Sequence, residues 1–385
     1  MACQISPKGS GDHARTVANH YNQLEEAGLA QRTLSRIFYL RNFNNWIKSV
    51  LIAENLNKLK DSDPHKTISV LDLCSGKGGD LLKWKKGRID HLICAGNNIA
   101  ATSVEQSEVR HKQNVQRERN KIFSAEFLVA DCTKERLKTK YKNPNQRFDL
   151  VSCQFSFHYC FESYPQAMMM LRNACESLRP GGYFIGTTPN SNEIVKRLRA
   201  SSDNSFGNDV YRISFPQEDK KTFPLFGAMY NFHLEGVVDC PEFLVYFPVL
   251  EKMAAQFGMK LVKKQTFAEF FKENLKNREY LTLLNAMQAL EPFPPIEGTE
   301  KMSSKLEDYE VAKEFLTSIS ESQQTEQEDR HQRPQRIGTL SLAEWEAATV
   351  YLVFVFQKIE DVTPSAAPRS QSLQPETIIK PPEKS

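Results

Sequence analysis

The sequence predicts an α/β fold: an open, mostly parallel sheet of seven strands, helices on both faces, and a lobe inserted after the fifth strand. Three observations carry this. Short, nearly continuous apolar runs recur between residues 68 and 188, and strands buried on both faces read this way. Helical or polar stretches separate the runs, which is the rhythm of strand–helix units. A glycine-rich turn, Ser75-Gly-Lys-Gly-Gly79, follows the first run, and ligands of open α/β sheets sit beyond such strand ends.

Taken in order, residues 1–15 are polar and predict a flexible tail. Phe43, Trp46, Ile47, Val50 and Leu51 recur at helical spacing, so an amphipathic helix runs from Phe38 to about Lys60. The strand candidates are Ile68–Leu73, His91–Cys94, Glu126–Asp131, Phe148–Gln154 and Tyr183–Thr188. A helix is expected from about Asp80 to Lys86, and another from Pro165 to Leu178 that Pro180-Gly181-Gly182 stops. Residues 191–250 lose the alternating rhythm and read as the insertion. Met259–Phe267 and Tyr351–Phe356 supply the last two strands, with helices near 268–290 and 306–318 between them. The polar stretch 320–335 and the Pro- and Ser-rich residues 358–385 have the composition of a disordered loop and tail.

Composition excludes several classes of function. With 40% hydrophobic and 25% charged residues the 385-residue chain is globular. Its 50 basic and 47 acidic residues leave +3, too little for a polycation but no bar to a local basic groove. The longest apolar strings, such as Val350–Phe356, fall far short of the ~20 residues that cross a bilayer. The eight cysteines form no Cys-x-x-Cys pair and read as reduced thiols, without a metal site. A soluble intracellular protein is expected.

Gly76, Gly78 and Gly79 let the backbone approach a ligand. Gly76-Lys77 is followed by glycine where a P-loop needs Ser or Thr, and the spacing misses the dinucleotide pattern. S-adenosylmethionine remains, unless the glycines only make a tight turn. Asp131 and Gln154 end two strand runs, where they would line the crevice. Asp131 suits an adenine amino group or a turn cap equally well. His158-Tyr159 suits base stacking, with a core histidine as the plainer reading.

Five longer strings carry a family resemblance: Arg36-Ile-Phe-Tyr-Leu-Arg-Asn-Phe-Asn-Asn-Trp-Ile-Lys48, Leu82-Lys-Trp-Lys-Lys-Gly87, Gly181-Gly-Tyr-Phe-Ile-Gly-Thr-Thr-Pro-Asn-Ser191, Leu234-Glu-Gly-Val-Val-Asp239 and Pro241-Glu-Phe-Leu-Val-Tyr-Phe247. They closely resemble eukaryotic mRNA cap guanine-N7 methyltransferases, with a match over 16–357. The resemblance implies a seven-stranded class I S-adenosylmethionine-dependent methyltransferase fold that methylates N7 of the guanosine cap of mRNA. It implies that Lys48, Cys74, Gly76, Asn98, Asp131, Gln154 and Tyr159 hold S-adenosylmethionine. It places Asn44, Asn45, Lys77, Lys83, Arg110, His158, Glu242 and Tyr351 against the cap. Lysine and arginine answer the triphosphate, and Glu242 can accept from guanine N1–H and its amino group. Lys83 as a solvated helix face and Tyr351 as core are the plainer readings. Guanine N7 has a free lone pair, so no residue is assigned as a general base. The resemblance further implies capped RNA as partner, a small activating subunit docking after about residue 250, a nuclear location and no membrane or metal.

Two departures fall on the cofactor side. The family's first turn reads Asp-Leu-Gly-Cys-Gly-Lys-Gly-Gly, whereas here Cys74 stands for the leading glycine. The family's second strand ends in an aspartate, whereas Cys94-Ala-Gly-Asn-Asn98 carries no acid. These predict weakened cofactor affinity or, as the alternative, a paralogue that binds capped RNA without efficient transfer.

Overall fold

The computed structural model describes residues 33–96, 101–117, 122–324 and 336–362, together with His13 and Val17. The tail 1–12, Asn97 and Asn98, most of the 320–335 stretch and the chain after 362 lie outside the described residues.

Helix α1 (Phe38–Ser62) buries Leu40, Phe43, Trp46, Ile47, Val50 and Leu51 on one face, as its spacing requires. It leads to β1 (Ser69–Leu73), α2 (Leu81–Lys86), β2 (His91–Gly96), α3 (Ala101–Arg117), β3 (Ser124–Val129) and β4 (Phe148–Gln154). A 3₁₀ turn (Phe157–Glu162), α4 (Tyr164–Cys175) and β5 (Leu178–Pro189) follow. The expected end of α4 needs correction. The helix stops at Cys175, and Pro180-Gly181-Gly182 fall inside β5. There the pairing with β4 jumps from Phe148–Leu178 to Leu150–Tyr183, and Gly181 takes φ +80°. The glycines absorb a strand irregularity rather than end a helix.

After α5 (Ser191–Ala200) the chain makes a separate four-stranded antiparallel sheet of β6 (Ser205–Gly207), β7 (Tyr211–Ser214), β8 (Met229–Leu234) and β9 (Val238–Phe243). Then come α6 (Phe247–Ala255), β10 (Met259–Thr266), α7 (Phe267–Asn274) and α8 (Arg278–Ala286). The single helix expected near 268–290 is therefore two, because Asn277 caps a new start through Glu279 N and Tyr280 N. A short β11 (Glu291–Phe293) pairs with β12 (Ile337–Thr339) across α9 (Glu310–Gln324). The first five residues expected to be loop, 320–324, belong to α9. α10 (Leu342–Ala348) and β13 (Tyr351–Lys358) complete the domain.

The main sheet has the order β10-β13-β5-β4-β1-β2-β3. All neighbours from β5 to β3 are parallel, and β13 runs antiparallel between β5 and β10. Two apolar clusters cover its faces. One is built on α1, Trp84, β8 and α7, the other on α4 and α6. Arg36 fastens the start of α1 to the α9–α10 region, with Asp308 Oδ2 and Ser341 Oγ both at 3.2 Å and Glu344 Oε2 at 3.7 Å. Seven of the eight cysteines are described, and all seven are free thiols. Among the described residues no helix is long and apolar enough to cross a membrane, and no side-chain group is arranged to hold a metal ion.

Candidate functional site

Strand order reverses between β4 and β1, and in an open α/β sheet the crevice at that point receives the ligand. The backbone marks the place. Cys74, just past β1, and Phe155, just past β4, both take φ +55° although neither is glycine. Each such conformation costs about 1 kcal/mol or more and persists only where surrounding structure imposes it. Gly76 and Gly78 continue the turn at φ +52° and +73°. A Cβ on Gly76 or Gly79 would meet nothing within 4 Å, so the turn faces open space.

On one side of the crevice stand two lysines. Lys48 of α1 and Lys83 of α2 approach Asp80 Oδ1 at 2.8 and 2.7 Å, at ion-pair distance but out of hydrogen-bond alignment. Lys83 also donates to Asn45 Oδ1 at 3.3 Å, while Asn44 Oδ1 is buried with no hydrogen-bond partner among the described residues. Burial opposes ionisation of Asp80, yet the two ammonium groups outweigh it and hold the carboxyl well below its usual range. Below it, the buried Asp72 accepts from Trp84 Nε1 at 3.1 Å. Burial, reinforced by the charge on Asp80, lifts Asp72 to about 7. The cluster therefore keeps a surplus of positive charge, suited to an anionic ligand group.

On the other side, the 3₁₀ turn after β4 carries His158 and Tyr159, with ring centroids 4.2 Å apart. His158 Nε2 lies 3.1 Å from Glu242 Oε1, both side chains being buried. This contact is close enough for an ion pair but lacks hydrogen-bond alignment, and among the described residues neither ring nitrogen has a hydrogen-bond partner. Tyr230 of β8 donates to Glu242 Oε2 at 2.8 Å. Tyr159 Oη lies 3.4 Å from Cys240 Sγ. Tyr351 opens β13 within an aromatic group, its ring 5.1 Å from Phe155 and 5.7 Å from Phe267.

The remaining expected residues divide. Gln154 ends β4 with Oε1 buried and without a partner among the described residues and Nε2 donating to Ser152 Oγ at 3.0 Å. Asp131 caps its own turn, with Oδ1 accepting from Thr133 N at 3.0 Å, and its Oδ2 lies 3.6 Å from Lys134 Nζ. Lys77 sits half-buried in the glycine turn. Arg110 is on α3, lining an open depression with Thr102, Gln106 and Gln113. Asn98 lies outside the described residues.

The Cys74 side chain does not form a wall of its own. It packs on the apolar cluster holding Cys132, Cys153 and Cys160, and its thiol interacts with Cys132 and Cys153. The Cys132 contact favours the thiolate, but the Cys153 contact and burial outweigh it and push the thiol up. Asp80, Tyr230 and Phe155 escaped the sequence reading. For Asp80 a signal existed: an acid three residues before Lys83 at a helix start, where a capping role hides it. Tyr230 looks like any core aromatic in an alternating strand.

The chain matches the profile of the mRNA (guanine-N(7))-methyltransferase domain over residues 4–359. It belongs to the mRNA cap guanine-N7 methyltransferase family. The mRNA cap guanine-N(7) methyltransferase of Drosophila melanogaster is 48% identical over 91% of this chain and 78% of its own length. That of Caenorhabditis elegans is 40% identical over 89% and 86%, and enzyme 1 of Oryza sativa 37% over 90% and 81%. Among solved structures, the plantazolicin methyltransferase BamL is 12% identical, with a TM-score of 0.43 over 91% of this chain and 97% of its own.

The family uses S-adenosylmethionine, and the residues present suit it. The turn offers room above Gly76 and Gly79, Lys48 offers a cation for a carboxylate, and Gln154 Oε1 is a buried acceptor in want of a donor.

Proposed function

We propose that this protein transfers the methyl group of S-adenosylmethionine to N7 of the guanosine that caps the 5′ end of mRNA. The observation that carries the reading is the pairing, across one switch-point crevice, of a lysine cluster at Asp80 with the buried Glu242–His158 pair. A capped RNA end offers the matching chemistry: a triphosphate for the lysines, and donor groups on guanine for a carboxylate.

Bound S-adenosylmethionine supplies a methyl group already activated by its sulfonium. The residues that would hold it are Lys48, the Cys74–Gly79 turn, Asp131, Gln154 and Tyr159, with Asn98 as the candidate for the ribose. Asn44, Asn45, Lys77, Lys83, Arg110, His158, Glu242 and Tyr351 would hold the cap. Their task is orientation. Guanine N7 carries a lone pair and no proton, so no side chain has to remove one. Presenting N7 in line and excluding water accounts for the rate.

Transfer is favoured over binding alone because the Cys74 sulfur packs with Cys132 and Cys153, so the change from glycine leaves the turn's open face in place. A small activating subunit docking on the region after residue 250, and residence in the nucleus, complete the proposal. The family resemblance supports both.

The deciding test supplies labelled S-adenosylmethionine and RNA with an unmethylated cap, then identifies the product nucleoside. Label recovered as 7-methylguanosine is expected. Label elsewhere, or equal labelling of RNA lacking a cap, would overturn the reading.

A further inference from the structure

Glu242 sits in a wall that is otherwise aromatic and apolar. It is 2% exposed; His158 Nε2 approaches one carboxylate oxygen and Tyr230 donates to the other. The pairing of β8 with β9 sets Tyr230 directly opposite Glu242 in register, which places both side chains on the same face of the small sheet. Tyr230 is 1% exposed and packs against Phe215, ring centroids 5.5 Å apart. Packing alone would be met by phenylalanine at this place. The hydroxyl adds one thing, a 2.8 Å hydrogen bond to Glu242 Oε2.

That bond has a geometric consequence. The last torsion of a glutamate is broad, whereas reading guanine by N1–H and its 2-amino group needs both carboxylate oxygens turned to the edge of the base. An ionised carboxylate only accepts, and a protonated tyrosine hydroxyl can donate to it. Burial, reinforced by Glu242, pushes the Tyr230 hydroxyl far up, so it stays a donor at any working pH. His158 Nε2 approaches the other oxygen at 3.1 Å without hydrogen-bond alignment, so the hydrogen bond described to this carboxylate is the one from Tyr230.

We infer that Tyr230 is a positioning residue for guanine recognition: its hydroxyl sets the plane of the Glu242 carboxylate and thereby the selectivity of the site for a base carrying both N1–H and a 2-amino group. The inference rests on the proposed reading that Glu242 faces the guanine.

The test compares Tyr230→Phe and Glu242→Gln with the full chain, using the unmethylated dinucleotide cap GpppA and its inosine counterpart, which lacks the 2-amino group. For Tyr230→Phe the Michaelis constant for GpppA should rise about tenfold. The constant for S-adenosylmethionine should stay within about twofold, and the preference for guanosine over inosine should narrow by a similar factor. Glu242→Gln should weaken GpppA by about a hundredfold or more. If Glu242→Gln fails on cap while Tyr230→Phe matches the wild type in both constant and preference, the inference is overturned and the proposed site stands. If Glu242→Gln binds cap normally, the site reading itself falls and takes the inference with it. Equal increases in both Michaelis constants for Tyr230→Phe, with unchanged base preference, would assign the hydroxyl to packing alone and also overturn the inference.

Discussion

Lys48 and Lys83 converge on a single oxygen, Asp80 Oδ1, from two different helices. The arrangement stores two cations beside one anion at the mouth of the glycine turn. Removal of that anion leaves two half-buried ammonium groups facing each other.

Asp80→Asn should therefore lower stability by roughly 3 kcal/mol at neutral pH, read by urea denaturation. The dependence on pH has a definite sign. Because the Asp80 carboxyl is held below its usual range, its contribution is complete above about pH 4 and fades as the pH falls further. Wild type and variant should converge in acid. A constant gap between them down to pH 2 would refute this origin.

Asp72 should show the opposite sign. Its carboxyl titrates at about 7 in the folded chain, above its unfolded value, so the native state binds the proton more tightly. Wild-type stability, measured against Asp72→Asn, should be greatest below pH 4 and decline by roughly 3 kcal/mol as the pH rises to 7. Asparagine keeps an acceptor for Trp84, so the variant should fold. A difference that does not vary with pH would place the titration elsewhere.

Cys74→Gly relieves a left-handed backbone, worth about 1 kcal/mol, and loses a sulfur packed on Cys132 and Cys153. The two terms are comparable, so the midpoint of thermal unfolding should move little. Affinity for S-adenosylhomocysteine, measured by calorimetry, should change less than about threefold. A gain of tenfold or more would mean that the sulfur obstructs the cofactor.

Arg36→Met should cost about 3–5 kcal/mol, because Asp308 and Glu344, almost wholly buried, lose the cation they share. Denaturant titration reads the loss. An unchanged midpoint would show that Ser341 and the backbone amide of Leu40, which donates to Glu344 Oε1 at 3.1 Å, suffice alone.

The parallel strands were legible because burial on both faces forces continuous apolar runs, and all five runs between 68 and 188 became neighbouring strands. The resemblance singles out Lys48 and Lys83, but not their common partner. Asp80 occupies the N-cap place of α2 without making a side-chain cap bond, so a local reading assigns it the role it has abandoned. The Pro180-Gly181-Gly182 run misled for a related reason: the residues that end helices also accommodate irregular strands. Nothing local to Tyr230 or Glu242 brings them together; strand register does.

β13 is the last described strand in chain order, yet it lies between β5 and β10 and adds Tyr351 to the aromatic group of Phe155 and Phe267. During synthesis, six of the seven strands leave the ribosome before the one that joins β10 to the rest. Until then β5 and β10 each present an open edge of unpaired amides and carbonyls, the kind of surface that chaperones cover and aggregates recruit. A premature stop before residue 351 should thus yield no partly active fragment. Such a product would be a substrate for the cell's quality control, and the pool of finished enzyme would follow the completion of translation.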